Sequence, residues 1–242
     1  VAQKQPHTVE YFHQLDDPYS HLMAQVLAQF AKRYDVEVVP RLIRATGGKH
    51  QPEAKKLAAW ARRDAALVAP HYGLTFPDAV GVTPDLEALQ TATQALVNCD
   101  ALAFITKIKR ISQALWSGSE GFGAMPDEDL ATDTAATAAL DQGSARLLEL
   151  KHYSGASLYY GGEWYWGVDR LFHLEQRLRD LGACHEPNEP YLVPRPEIDL
   201  TGVDAAHLAL HFYPSLNSPY TAIIFDRTVA LAKACGVAFH HK

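Results

Sequence analysis

The start of the chain combines strand-like and helix-like hydrophobic patterns. Residues 8–12 alternate apolar and polar side chains, which is typical of a β-strand, and a turn follows at 14–17. Pro18 then opens an amphipathic helical pattern that runs to Tyr34, and residues 36–42 form a β-branched run. We predict a strand–helix–strand unit whose two strands are parallel neighbours joined by a right-handed crossover.

A long helical stretch separates this unit from the next strands. From residue 52 to about residue 151, apolar positions recur at helical spacing, so we expect an inserted group of packed helices. Residues 157–160 and 164–166 then predict two short strands joined by a hairpin turn at Gly161 and Gly162, and 169–181 a closing amphipathic helix. The order βαβ, helical insertion, ββα predicts an α/β domain over residues 1–184.

A change in composition marks a boundary after this domain. Residues 185–204 hold several prolines and acidic residues without periodicity, which is a linker composition. Beyond it, residues 206–212 alternate as a strand, Pro219 opens a helix that runs to Cys235, and 237–240 start another strand. We therefore predict a linker at 185–204 and a second βαβ segment at 205–242.

The two βαβ segments resemble each other. Positions 201 residues apart match without a gap, as in the pairs Leu15 and Leu216, Pro18 and Pro219, Tyr19 and Tyr220, Ser20 and Thr221, and Val36 and Val237. This register indicates an internal duplication. The second copy holds only the first half of the pattern, and a two-strand half-unit leaves an open edge and an uncovered face. We hypothesise that the chain is a fragment of a longer two-domain protein, or that a partner chain completes the sheet. We accordingly expect either a homo-oligomer or completion of the second unit by another chain or a missing segment.

Composition and charge narrow the possible partners. The chain is 48% hydrophobic and 21% charged, as in ordinary globular proteins, and its net charge is -6. A surface without basic excess disfavours nucleic acid and anionic membranes as partners, so we expect a small-molecule substrate. No apolar run reaches transmembrane length and the start lacks a signal-peptide core, so we expect a cytoplasmic protein, although processing before Val1 stays open.

The cysteines argue against dithiol chemistry. Cys99, Cys184 and Cys235 are widely spaced and none belongs to a C-x-x-C motif. This excludes the usual dithiol redox mechanism and a zinc knuckle, and we expect three isolated thiols packed as small apolar groups. His240 and His241 are too few to argue for a metal site, so we expect no metal.

Several motifs in order resemble those of the DsbA-like branch of the thioredoxin superfamily, particularly 2-hydroxychromene-2-carboxylate isomerases and kappa-class glutathione transferases. They are the strand-x-x-[DS]-Pro-Tyr-[ST]-helix opening, Arg63-Asp64, the stretches 71–74 and 114–116, and Gly-Glu-Trp-Tyr-Trp-Gly-Val-Asp-Arg-Leu at 162–171. The resemblance implies a thioredoxin-like sheet (βαβ…ββα) with a large all-helical insertion, followed by the βαβ start of a second thioredoxin-like unit. It also implies glutathione as the cofactor.

In that family, a Ser directly before Pro-Tyr holds the glutathione sulfur as a thiolate at a helix N-terminus. Free N–H groups and the helix dipole favour an anion there. The matching residue is Ser218 in the second unit but Asp17 in the first. An ionised Asp17 about 4 Å from a thiolate would repel it by about 4 kcal/mol at an effective dielectric near 20. We therefore take Ser218 and Asp17 as candidate catalytic residues and expect Ser218, not Asp17, to be competent. Both residues also fit plain helix N-caps.

The resemblance also implies ligand contacts. Ala156 stands where the superfamily usually has a cis-proline that presents its backbone to a ligand, and we expect its peptide bond to be trans. Asp169 stands where an Asp pairs with the ammonium group of the γ-glutamyl end, although it equally fits an N-cap of the closing helix. The candidate ligand-binding residues are Pro18, Tyr19, Ser20, Ala156, Ser157, Asp169, Pro219 and Tyr220.

Other residues admit two interpretations. His13 could face the site as a base or be a structural histidine. Trp164, Tyr165 and Trp166 could line a cleft, or pack alternately on the two faces of a strand.

Three functions follow. The first is a glutathione-dependent isomerase or transferase resting on Ser218, without dithiol activity in the first unit. The second is a non-catalytic thioredoxin-like binding or assembly module with degenerate sites. The third is a thiol–disulfide oxidoreductase, which the cysteine spacing disfavours.

Overall fold

The computed structural model describes residues 6–48, 51, 53–77, 83–117, 130–195, 197 and 199–242. The chain divides into two compact units, Val1–Arg195 and Pro196–Lys242. Pro52, the predicted start of the helical insertion, lies outside the described residues. In the part of the chain that the structure describes, no helix is long and apolar enough to cross a membrane.

The first unit has a four-stranded mixed sheet. Its elements in chain order are β1 (His7–His13), α1 (Pro18–Arg33), β2 (Val36–Leu42), α2 (Ala54–Val68), α3 (Leu86–Val97), α4 (Ala101–Trp116), α5 (Asp133–Glu149), β3 (Ser157–Tyr160), β4 (Glu163–Trp166) and α6 (Leu171–Asp180). The strand order is β2-β1-β3-β4; β1 is parallel to β2 and antiparallel to β3, and β3 is antiparallel to β4. The predicted α/β class and the order βαβ, helical insertion, ββα are confirmed.

Both faces of the sheet are covered, because neighbouring apolar side chains of β1 pack into two different clusters. Val9 and Tyr11 belong to the main core together with the buried face of α1. Phe12 points the other way and packs with Ile43 and Leu147, the latter on α5. The α5 helix approaches β2 so closely at Gly143 that an added Cβ would lie 2.0 Å from the Leu42 carbonyl oxygen. The alternation of side chains along β1 and the close approach at Gly143 therefore determine how the helices pack on the two faces of the sheet.

The closing helix begins later than its sequence pattern predicts. A single 3₁₀ turn, Val168–Arg170, precedes α6, and Arg170 occupies the N-cap position without a side-chain cap. The prediction that Asp169 could cap this helix is therefore wrong. Gly167, with φ 77°, turns the chain before the 3₁₀ turn, and the Asp169 carboxylate instead lies 3.4 Å from the Arg170 guanidinium.

The first part of the predicted linker is packed onto the first unit. Leu192 N–H donates to Glu175 Oε1 over 2.8 Å, and Val193 N–H donates to Oε2 over 3.4 Å. Tyr34 Oη donates to the same carboxylate over 2.9 Å. Both Glu175 and Val193 are fully buried. The unit boundary consequently falls after Arg195 rather than after residue 184.

The second unit contains β5 (Ala209–Phe212), α7 (Pro219–Cys235) and β6 (Ala238–His241), with β5 parallel to β6. The strand predicted from residue 206 begins at Ala209, since the Asp204 carboxylate accepts the Ala206 N–H and forms a turn. Ala209 pairs with Ala238, and Thr8 pairs with Glu37 in the first unit. Both members of the pair are shifted by 201 positions, which is the offset of the predicted duplication.

Candidate functional site

Asp17 caps α1 with its own carboxylate. Its backbone is extended (φ -101°, ψ 119°), and Pro18 follows at the first helical position. Oδ2 accepts the Ser20 N–H over 2.9 Å, and Oδ1 accepts the Tyr19 N–H over 3.4 Å. Asp17 therefore occupies, from within the protein, the place where a helix N-terminus would otherwise hold an external anion.

Ser20 connects this cap to two neighbouring segments. Its hydroxyl donates to Asp17 Oδ2 over 2.8 Å and accepts the N–H groups of Gln14, at 3.2 Å, and Ala156, at 2.9 Å. The side chain is fully buried, so its hydroxyl bonds within the protein rather than with a ligand. Ser20 thus fixes the turn before α1 against the segment that leads into β3.

The segment that faces the cap is closed by internal hydrogen bonds. Ala156 is buried, its N–H donates to Ser20, and its carbonyl accepts the Gly167 N–H over 2.9 Å. Ala156 has φ 54°, a left-handed conformation, and no cis peptide bond occurs among the described residues. Ser157 is also fully buried and donates to the Gly155 carbonyl over 3.0 Å. The backbone at the proline position is therefore already hydrogen-bonded.

Gly155 allows this close approach. An added Cβ would lie 2.7 Å from Gln14 Cβ and 2.9 Å from Ser20 Oγ, and real Cβ contacts are not that short. The residue before Ala156 must therefore lack a side chain for the cap and the β3 segment to touch.

Burial shifts the ionisation of Asp17. Loss of water around the carboxylate, with a smaller contribution from Asp16, raises the pKa of Asp17 to about 6, against the opposing hydrogen bonds from Ser20 and Tyr19. Asp17 is therefore a carboxyl group that changes charge near neutral pH.

A second polar group lies beside the cap. Tyr19 Oη donates to the Asp64 carboxylate over 2.7 Å, and burial, with Asp64 beside it, raises the pKa of Tyr19 well above its usual range. Burial also raises the pKa of Asp169, and Arg170 opposes this shift. Tyr19 and Asp169 are only partly buried, so both can contact a ligand. Asp64 belongs to the Arg63-Asp64 motif on which the family resemblance rests, but the sequence predicted no role for it.

His13 is a structural residue. It is fully buried, its Nδ1 lies 2.7 Å from Tyr11 Oη, and its Nε2 has no hydrogen-bond partner among the residues that the structure describes. Burial, with His21 nearby, lowers the pKa of His13 to about 3, so the ring is neutral at pH 7.

The β4 aromatics alternate across the sheet, as the structural interpretation predicts. Tyr165 is buried in the main core, whereas Trp164 packs against Phe12 on the opposite face and Trp166 is 45% exposed. The three side chains therefore do not line one cleft.

The start of α7 has the same backbone as the start of α1 but a different cap. Ser218 has φ -101° and ψ 121°, and its hydroxyl makes no capping hydrogen bond. The turn before it is also repeated: Ser215 N–H donates to Thr221 Oγ1 over 3.2 Å, as Gln14 N–H does to Ser20 Oγ over 3.2 Å. Ser218 is partly exposed and Pro219 and Tyr220 are exposed. This N-terminus is accessible to a ligand.

The remaining metal-ligating and nucleophilic side chains are dispersed. Within the described ranges, no three His, Cys, Asp or Glu side chains are placed to hold a metal ion. Cys99 and Cys184 are partly buried, Cys235 is buried, and all three are free thiols.

Comparison with known proteins decides the fold. No protein-family model and no curated protein matches the sequence. The structure is similar to that of a 2-hydroxychromene-2-carboxylate isomerase, with a TM-score of 0.53 and 21% identity over 72% of this chain and 96% of that chain. The chain has a DsbA-like thioredoxin fold. The resemblance drawn from the motifs is thereby confirmed at the level of the fold.

Two further structures share this similarity at lower TM-scores. A proposed protein disulfide isomerase from Nitrosomonas europaea has a TM-score of 0.48 and 14% identity over 73% of this chain and 97% of that chain. A proposed DsbA oxidoreductase from Streptomyces coelicolor has a TM-score of 0.48 and 16% identity over 80% of this chain and 94% of that chain.

Proposed function

We propose that this DsbA-like protein is a glutathione-dependent isomerase or transferase whose thiolate site is the Ser218 end of α7. The observation that carries the proposal is the difference between two caps with the same backbone. At α1, the Asp17 carboxylate accepts the N–H groups of the first turn. At α7, the Ser218 side chain leaves the first turn uncapped.

An uncapped helix start of this kind suits a thiolate. Pro219 has no N–H, and the Thr221 N–H donates to the Ser218 carbonyl over 3.1 Å. An anion here would therefore be stabilised by the Tyr220 N–H, the positive end of the helix dipole and a hydrogen bond from the Ser218 hydroxyl. Stabilising the thiolate lowers the pKa of a bound thiol and so raises the fraction that is nucleophilic at neutral pH. The fold similarity to a 2-hydroxychromene-2-carboxylate isomerase supports the isomerase alternative.

The Asp17 site is the degenerate counterpart in this proposal. With a pKa of about 6, Asp17 is mostly ionised at pH 7 and repels a thiolate. The Ala156 N–H and carbonyl are bonded to Ser20 and Gly167, so the backbone contact expected at the proline position is absent. Glutathione therefore fits the donors at Ser218 and does not fit those at Asp17.

A non-catalytic binding module is the second candidate. The same closed cap at Asp17 and the same internally bonded Ala156 favour it, because a site that satisfies its own hydrogen bonds offers little to a ligand. Thiol–disulfide exchange has less support, since the three free cysteines stand far apart in sequence.

Calorimetric titration of glutathione into the full chain tests the proposal. We expect saturable binding by the wild type, loss of binding in Ser218→Ala, and unchanged binding in Asp17→Ala, which is the matched cap variant of the other unit. Binding that survives Ser218→Ala, or no binding by a folded wild type, would contradict the assignment. The second result would favour the non-catalytic module.

A further inference from the structure

The first unit holds an anion at the start of α1, and that anion is its own Asp17 carboxylate. Oδ2 accepts two hydrogen bonds, one from the Ser20 hydroxyl over 2.8 Å and one from the Ser20 N–H over 2.9 Å. Oδ1 has only the longer contact of 3.4 Å with the Tyr19 N–H. The Ser20 hydroxyl is therefore the side-chain donor that this kind of helix start offers to an anion.

Thr221 is the counterpart of Ser20 in the second unit, at the offset of 201 positions. Thr221 Oγ1 accepts the Ser215 N–H over 3.2 Å, and Ser20 Oγ accepts the Gln14 N–H over the same distance. The two cap residues also share one backbone conformation, with ψ 121° in the second unit and 119° in the first. The Thr221 hydroxyl thus has the same place relative to its turn and helix as the Ser20 hydroxyl.

The hydroxyl proton of Thr221 is not used by this turn. Oγ1 is the acceptor in the bond with Ser215, because an N–H group can only donate. Within the part of the chain that the structure describes, no acceptor takes the Thr221 hydroxyl proton. Thr221 is also partly exposed, whereas Ser20 is fully buried. Thr221 therefore has one hydroxyl donor that a ligand can reach.

We propose that the Thr221 hydroxyl is a second side-chain donor to the glutathione thiolate, beside the Ser218 hydroxyl. The inference rests on the proposed function of the Ser218 site and adds a residue to that site. The Thr221 N–H donates to the Ser218 carbonyl, so the hydroxyl is the donor that Thr221 has left for an anion. Branching at Cβ and the bond from Ser215 already restrict this side chain, so donation to a ligand costs little side-chain entropy.

A donor in this position distinguishes the thiolate from a neutral sulfur. Hydrogen bonds to an ionised acceptor are stronger than those to a neutral one, so the Thr221 hydroxyl stabilises the thiolate more than the thiol. Loss of the donor raises the pKa of the bound thiol by about one unit, which corresponds to about tenfold weaker binding of the thiolate. S-methylglutathione has no ionisable thiol, so its binding does not depend on this donor.

Titration of glutathione and of S-methylglutathione into the full chain, with the pKa of the bound thiol, tests this role. Thr221→Val removes the hydroxyl and keeps the shape of the side chain. We expect it to raise the thiol pKa by about one unit, to weaken glutathione binding about tenfold and to leave S-methylglutathione binding unchanged. Thr221→Ser keeps the hydroxyl and behaves as the wild type. Thr228→Val is the matched control with no effect, because the Thr228 hydroxyl donates to the Ile224 carbonyl within the same helix.

Circular dichroism shows whether each variant is folded, and Thr221→Ala decides the question if Thr221→Val unfolds. A folded Thr221→Val or Thr221→Ala variant with the wild-type thiol pKa overturns the proposal. Equal weakening of both ligands overturns it too, because the hydroxyl then only holds the turn at Ser215. An unshifted thiol pKa in the wild type, or a shift that survives Ser218→Ala, contradicts the Ser218 site itself, and the role of Thr221 fails with it.

Discussion

Replacing Asp17 by Asn should stabilise the first unit at neutral pH. Asn is as good an N-cap residue as Asp, because an amide oxygen in the place of Oδ2 still accepts the Ser20 N–H and the Ser20 hydroxyl, and only the 3.4 Å contact with the Tyr19 N–H is lost. The substitution therefore keeps the cap and removes a charge that burial disfavours. The gain should depend on pH, since the wild-type group loses its charge when protonated.

The size and sign of this gain in the free energy of unfolding follow from the shift in the pKa of Asp17. The pKa of Asp17 rises from 3.8 in the unfolded chain to about 6 in the folded protein. The folded state therefore binds more protons between these values, and the wild type loses stability as the pH rises through them. At 1.36 kcal/mol per pKa unit, the loss is at most about 3 kcal/mol. Because Asp17 is only partly buried and water screens it, we expect Asp17→Asn to gain about 1 to 2 kcal/mol at pH 7.

Urea unfolding, monitored by tryptophan fluorescence, measures this gain in the first unit, which contains Asp17. All four tryptophans, Trp60, Trp116, Trp164 and Trp166, lie in Val1–Arg195. The difference in free energy of unfolding between variant and wild type should be small at about pH 4 and reach its full size at about pH 7.5. A gain of equal size at both pH values, or a loss at the higher one, would show that the charge on Asp17 does not destabilise the folded protein.

Three further substitutions test the packing around the site and are read by the same unfolding assay. Glu175→Gln should cost about 1 to 3 kcal/mol, because one of its carboxylate acceptors becomes a donor facing the Val193 N–H; equal stability would show that residues 185–195 are not held there. Ala156→Gly should gain about 0.5 kcal/mol by relieving the left-handed backbone, and a clear loss would contradict that conformation. Gly155→Ala should cost several kcal/mol, since its Cβ would meet Gln14 Cβ at 2.7 Å, and a neutral effect would contradict the close approach.

Much of the fold follows from local signals. Alternation in β1, Pro18 at the start of α1 and the β-branched run of β2 each predict the observed element. The Asp17 cap was also predictable, since Asp before Pro is a frequent helix start. The second unit was predicted from its match to the first, which carries the same signals.

Contacts that are distant in sequence were not predictable. Nothing local to residues 185–195 shows that Glu175, buried on α6, accepts N–H groups of Leu192 and Val193. Ala156 gives no sequence sign of a left-handed backbone, which the bonds to Ser20 and Gly167 impose. The pKa of Asp17 likewise depends on burial by surrounding segments.

The most direct test of the thiolate site is to measure the pKa of the glutathione thiol in the complex. Ultraviolet absorption of the thiolate during a pH titration gives this pKa. With the wild type we expect a thiol pKa well below that of free glutathione, because Ser218 and the N-terminus of α7 stabilise the thiolate. Asp17→Ala should keep this shift and Ser218→Ala should abolish it. A bound thiol that titrates as in free glutathione, or a shift that survives Ser218→Ala, would contradict the assignment of the thiolate site to Ser218.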